Sequence, residues 1–128
     1  MSYYFSKTLE TSFDNALFRV TEELKKEGFG ILTEIDVKET LKKKLDVDFR
    51  KYRILGVCNP PFAYKSLQAE DKIGLLLPCN VIVQETLDGK VEVAAIDPVA
   101  SMHALENKKL QEVAEKVQEK LKKAIENL

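Results

Sequence analysis

The amino-acid sequence predicts an α+β protein, a mostly antiparallel sheet of five or six strands covered by two long helices. Three observations predict it. Two stretches, one near each end, carry apolar residues at helical spacing. Between them lie short aromatic or β-branched runs separated by turn residues. Asp88-Gly89 then sits between two of those runs as a tight hairpin signal.

Taken in chain order, Tyr3 to Thr8 is short and aromatic and reads as a strand. Phe13, Ala16, Leu17, Val20 and Leu24 follow the i, i+3, i+4, i+7 pattern, so a helix is predicted over about 12–27. Thr11 or Ser12 can cap it, Asp14 suits its first turn, Lys25 and Lys26 suit its last, and Gly28 suits the left-handed position beyond. Gly30 to Ile35 is the second strand. Asp36 and Glu39 have capping-box spacing, which predicts a short helix over about 37–45 with Lys42, Lys43 and Lys44 on a solvated face.

Phe49 to Val57 is the third strand, with Tyr52, Ile54, Gly56 and Cys58 on one face and Arg53, Leu55 and Val57 on the other. Asn59 has the character of an N-cap and Pro60 that of a first helical residue, so a helix opens there with Phe62, Ala63 and Leu67 on its buried side. Ile73 to Val83 is apolar almost throughout and is read as a central strand, with Pro78 marking a bulge or a break. Lys90 to Ile96 returns antiparallel. A two-residue loop would set Glu85 against Glu92, so a longer loop, a bulge or a basic neighbour is expected. Leu110, Val113, Ala114, Val117, Leu121, Ala124, Ile125 and Leu128 then make the cleanest stripe, a helix over about 106–127. Glu112 with Lys116 and Glu119 with Lys123 stand in the favoured order on it.

Length and composition bound what such a protein does. The 128 residues suit one domain, 1–128, without linker, repeat or low-complexity tract. Apolar residues make up 45% and charged residues 32%, which is a globular rather than a disordered balance. Lys plus Arg is 20 and Asp plus Glu is 21, and the resulting charge of −1 argues against nucleic-acid binding driven by bulk electrostatics. No apolar run approaches a membrane span, so an integral membrane protein is not expected. Met1 to Thr8 lacks the basic-then-apolar pattern of a signal peptide, and two cysteines without one suggest a reducing cytoplasm.

Those cysteines are the main chemical clue. Cys58 directly precedes a predicted helix N-terminus, where free amides and the helix dipole favour a thiolate. Cys79 follows Pro78 in a strand expected near the third, and pairing of the two strands would let the sulfurs approach as a cycling dithiol. The plainer reading is that both pack as small hydrophobes. Cys58, Cys79, Asp97 and His103 are the available metal ligands, but their spacing fits no standard zinc pattern. No cofactor or metal is predicted. His103, the only histidine, can serve a thiol as a base or stand partly exposed on the approach to the last helix. The exposed amides with Asn59 are a place for a small anion.

The segments Gly56-Val57-Cys58-Asn59-Pro60 and Leu75-Leu76-Leu77-Pro78-Cys79-Asn80-Val81 resemble those of the family known as domain of unknown function 302. So do Gly28-Phe29, Asp36-Val37 and Ile96-Asp97-Pro98, and the resemblance covers nearly the whole chain. It implies a TATA-binding-protein-like fold of order β-α-β4-α with short extra helices, and no assigned activity. Carried onto this chain, it points to Cys58, Asn59, Pro60, Pro78 and Cys79 as the site.

The sequence supports two functional readings. In the first, Cys58 and Cys79 are catalytic thiols acting on a sulfur or redox species, with Asn59, Pro60, Pro78 and His103 around the ligand. In the second, the protein is a non-catalytic module that binds a lipid or other small apolar molecule between the sheet and the C-terminal helix, lined by that helix and by Leu75-Leu76-Leu77. A homodimer, formed through sheet edges or the aromatic first strand, is compatible with both.

Overall fold

In a computed structural model that describes residues 2–128, five strands form one antiparallel sheet. They are β1 (Tyr4–Leu9), β2 (Gly30–Asp36), β3 (Tyr52–Cys58), β4 (Cys79–Glu85) and β5 (Val91–Ile96), in spatial order β1-β5-β4-β3-β2. The helices are α1 (Phe13–Lys26), α2 (Val37–Leu45), α3 (Pro60–Ala69), α4 (Pro98–Ser101) and α5 (Lys108–Glu126). The order is thus β-α-β4-α with short helices added, as expected.

Local chemistry accounts for the helix ends. The Ser12 hydroxyl accepts from the Asn15 amide at 3.1 Å and starts α1. Gly28, at φ +88°, turns the chain out of it. Asp36 accepts from the Glu39 amide at 3.0 Å and starts α2. The return half of that capping box is absent, because Glu39 pairs with Lys43 at 2.7 Å instead. Asn107 caps α5 through the Leu110 amide at 3.0 Å. The two predicted ion pairs along α5 are not made. Lys123 reaches across to Glu27, at 3.8 Å, and ties α5 to the end of α1.

α1 and α5 cover one face of the sheet. Ala16, Val20 and Leu24 of α1 and Leu121, Ala124 and Ile125 of α5 pack on Leu55, Val57, Val81, Val83 and Val93, all buried. Full burial of a Leu or Val side chain contributes roughly 1.5–3 kcal/mol, so this cluster dominates the stability of the fold. Neither long helix covers the opposite face of the sheet.

The apolar run 73–83 is not one strand. Ile73–Leu76 forms a 3-10 turn, the Leu77–Pro78 peptide is cis, and pairing begins only at Cys79. Pro78 thus marks the break, and the central strand β4 starts directly after it. Asp88-Gly89 is not a two-residue turn either. The Gly89 amide bonds to Thr86 O at 3.1 Å, and Thr86 N bonds to Lys90 O at 2.9 Å. Leu87-Asp88-Gly89 is therefore the loop, with Gly89 at φ +80°. That longer loop sets Glu85 opposite Val91 and Glu92 opposite Gln84, whose side-chain amide donates to Glu92 at 2.8 Å. The two carboxylates never face each other.

Candidate functional site

β3 and β4 pair with Val57 opposite Cys79. Alternation turns Leu55 and Val57 onto the helix face and Gly56 onto the other. Cys79, with Val81 and Val83, points to the helices and is buried. Cys58 ends the strand beyond the last β3–β4 pair, and both free thiols border the same apolar cavity. Gly56 has no room for a side chain: a Cβ there would run into Thr33 and lie 2.7 Å from Pro78 Cγ.

Past Cys58, the chain enters α3 in a way the residue types alone do not disclose. Asn59 occupies the N-cap position but makes no side-chain cap bond. Its Nδ2 donates to Glu27 O at 3.0 Å, and the residue is buried. Its side chain also rests against Gly28, where an added Cβ would lie 3.1 Å from Nδ2. Asn59 is thus a tether between the end of α1 and the start of α3. The helix needs no side-chain cap because Pro60 and Pro61 have no N–H, and the Phe62 and Ala63 amides both bond to Asn59 O, at 3.1 and 3.0 Å. The free amides expected beside Cys58 are therefore missing, and with them the predicted place for an anion.

Cys79 is equally unsuited to ionise. Burial pushes its thiol up to about 11, and the neighbouring Cys58 adds to the shift. His103 lies exposed just after α4 and does not border the apolar cavity of this region. Asp97 caps α4 through the Val99 amide at 3.0 Å and accepts from Gln118 Nε2 at 3.0 and 3.1 Å. Among the described residues, no three His, Cys, Asp or Glu side chains are grouped to hold a metal ion.

That cavity is what the structure does bring together, an apolar space of about 330 Å³ between the paired ends of β3 and β4, α3 and α5. Cys58, Asn59, Pro78 and Cys79 border it, whereas Pro60 and His103 do not. Phe29, Phe62, Leu77, Met102, Val113 and Val117 supply much of its wall, and no charged side chain lines it. Its polar groups already have partners: Asn59 has Glu27 O, and Ser66 Oγ donates to Phe62 O at 2.9 Å. Leu32 and Leu67 line it yet remain 65% and 46% exposed, so they form an apolar mouth. Of the predicted Leu75-Leu76-Leu77 lining only Leu77 takes part, since Leu75 is 85% exposed.

The cavity explains a departure from expectation in α3. Phe62, Ala63 and Leu67 are not buried, and Ser66 is the only buried residue of that helix. The apolar side of α3 faces empty space rather than packed side chains. The spacing of those residues is visible in the sequence, as is the stripe Val113-Ala114-Val117 opposite them. Nothing local in either helix specifies the gap between them.

Comparison with known proteins places the whole chain. Residues 5–128 match the family described as domain of unknown function DUF302. The crystal structure of an uncharacterized conserved DUF302 protein from Bacillus stearothermophilus has the same fold, with a TM-score of 0.91 and 28% sequence identity over 98% of each chain. No curated protein matches the sequence.

Proposed function

The chain belongs to the DUF302 family, and from that premise we propose that it is a non-catalytic binding module for a small, neutral, apolar ligand seated between α3, α5 and the β3–β4 pair. One observation carries this reading: a cavity of about 330 Å³ with an apolar wall, no charged lining residue and an apolar mouth. Ligand sites are typically concave, mostly apolar and at least about 300 Å³. A dry cavity of about 150 Å³ is enough to hold benzene, so this one suits a bicyclic aromatic or a medium hydrocarbon chain. A charged ligand would enter without a counter-charge and lose its hydration. The apolar mouth suits a molecule whose tail is enclosed while its end stays at the surface.

The thiol reading draws less support. The buried Cys79 holds its proton near neutral pH, the helix beside Cys58 offers no free amide, and His103 stands apart. The two thiols serve the proposed site as soft, weakly polar wall. A homodimer in a reducing cytoplasm, where free thiols persist, completes the reading.

The test is thermal unfolding with naphthalene and with 1-octanol, compared with native mass spectrometry of the protein as purified. Either probe should raise the unfolding temperature, because binding only the folded state stabilises it. Ala63→Leu, which fills the cavity from α3, should abolish that rise. No rise with either probe, together with no co-purified ligand, would overturn the proposal.

A further inference from the structure

The face of the sheet away from the long helices departs from what a solvated face looks like. An antiparallel sheet with one wet side normally alternates apolar-in and polar-out. Here the register places Ser6, Ala94, Ile82, Ile54 and Ile35 in one row straight across all five strands, on the outward side. The next row carries Tyr4 and Ile96, and the row on its other side carries Tyr52. Ile35 is 47% exposed and Tyr4 43%. Between Tyr4 and Tyr52 lies a shallow depression of about 400 Å³, with Ile82 and Ala94 in its wall. Glu92 is the one charged residue bordering it, and Glu92 accepts from Gln84.

We propose that this open face is covered by a second copy of the chain, face to face about a two-fold axis. Three features on this surface select that occupant. It is self-compatible in charge, because one carboxylate and one guanidinium meet on Gln84, whose Nε2 donates to Glu92 at 2.8 Å and whose Oε1 accepts from Arg50 at 2.9 Å, so neither sign is in excess. It is self-compatible in shape, because tyrosines at its rim match a depression at its centre, so each copy can fill the other. It is also large enough. Five strands about 4.8 Å apart and six residues long at about 3.3 Å each give a flat footprint near 480 Å². Two such faces together cover about 960 Å², close to the ~1,000 Å² that a specific interface needs. The near-neutral net charge of −1 disfavours the other use of an aromatic sheet face, stacking of nucleic-acid bases.

This pairing rests on the homodimer of the proposed function and gives it an interface; the open face and the cavity share no lining residue, so a monomer would remove the dimer and leave the cavity reading standing. Sedimentation equilibrium of the full chain, with Ile82→Glu and Ile54→Glu alongside, is the test. The wild type should be a dimer. Each variant should dissociate about 100-fold or more readily, because a buried carboxylate would find no partner, while keeping the wild-type circular dichroism. If a Glu variant fails to fold, Ile82→Thr should still weaken association by a smaller factor. A monomeric wild type at high concentration would overturn the proposal. So would folded Glu variants, or a folded Thr variant, that associate as tightly as the wild type, since pairing would then use another surface.

Discussion

α1 and α3 each present an apolar stripe to the interior, yet one closes on the sheet and the other does not. In α1, Phe13, Ala16, Val20 and Leu24 are buried against β4 and β5. In α3, Phe62 and Ala63 are half-buried, Leu67 is exposed, and the space they face is the cavity. The two helices differ in the length and regularity of their stripes and also in attachment. α1 is set by its own cap and a free-running helical period. α3 is held at its start by two prolines and by the Asn59 tether to Glu27, and it packs on α5 and the 3-10 turn rather than down onto the strands. Apolar spacing therefore tells which side of a helix turns inward, while the anchoring of its ends decides whether that side meets atoms or a void.

The largest effect is expected in the closed region: Leu24→Ala should destabilise by about 3 kcal/mol, because the packed surroundings cannot collapse onto the lost volume. Urea unfolding reads this directly, and a small loss would show that the α1 interface is also loose.

The next effect joins the two regions through Cys79, which borders the cavity from the packed sheet. Its folded thiol titrates near 11 against about 9 when unfolded. The folded state therefore holds a proton that the unfolded state releases between those values, and stability falls as pH rises from about 9 to about 11. The contribution is full below that window, and its loss is at most about 3 kcal/mol. Cys79→Val should flatten this alkaline slope in pH-dependent unfolding, whereas an unchanged slope would assign it to other groups.

A smaller effect tests the anchor itself. Asn59→Ala should cost about 1–2 kcal/mol, since it leaves Glu27 O without its buried donor. Asn59→Asp separates tether from cap: aspartate is as good a cap as asparagine, but it offers the Glu27 carbonyl an acceptor. Chemical denaturation should find the Asp variant at least as unstable as the Ala variant. Near-wild-type stability of Asn59→Asp would restore the capping role. The smallest effect is expected at the mouth, where Leu67→Ala should change stability by less than about 1 kcal/mol while weakening the naphthalene-induced rise in unfolding temperature. A loss matching that of Leu24→Ala would mean that α3 is packed after all.

Much of this is legible in the chain read in order. The starts of α1 and α2 are legible because their caps accept from amides three residues on, and α5 is legible because its stripe runs for several turns. The conflict between Glu85 and Glu92 signals a longer hairpin loop, since strand pairing is arithmetic once the turn is placed. The run 73–83 is misleading because apolar content does not distinguish a strand from a 3-10 turn, although Pro78 marks where the break falls. Asn59 misleads for a different reason. Its partner lies 32 residues earlier in the chain, and no local pattern names it.

The order of the strands and of α1, α2, α3 and α5, the caps of α1 and α2, and the inward faces of the long helices can be read from residue order, because each depends on residues a few positions apart or on strand alternation. Three features emerge only in the folded chain: Asn59 tethers instead of capping, burial keeps Cys79 protonated, and α3 stands off from the strands so that Cys58 and Cys79 border one cavity. Each of these depends on how distant segments meet. The residue types at such a meeting set what it can do once formed, but its distance and solvent exposure arise only when the chain closes on itself.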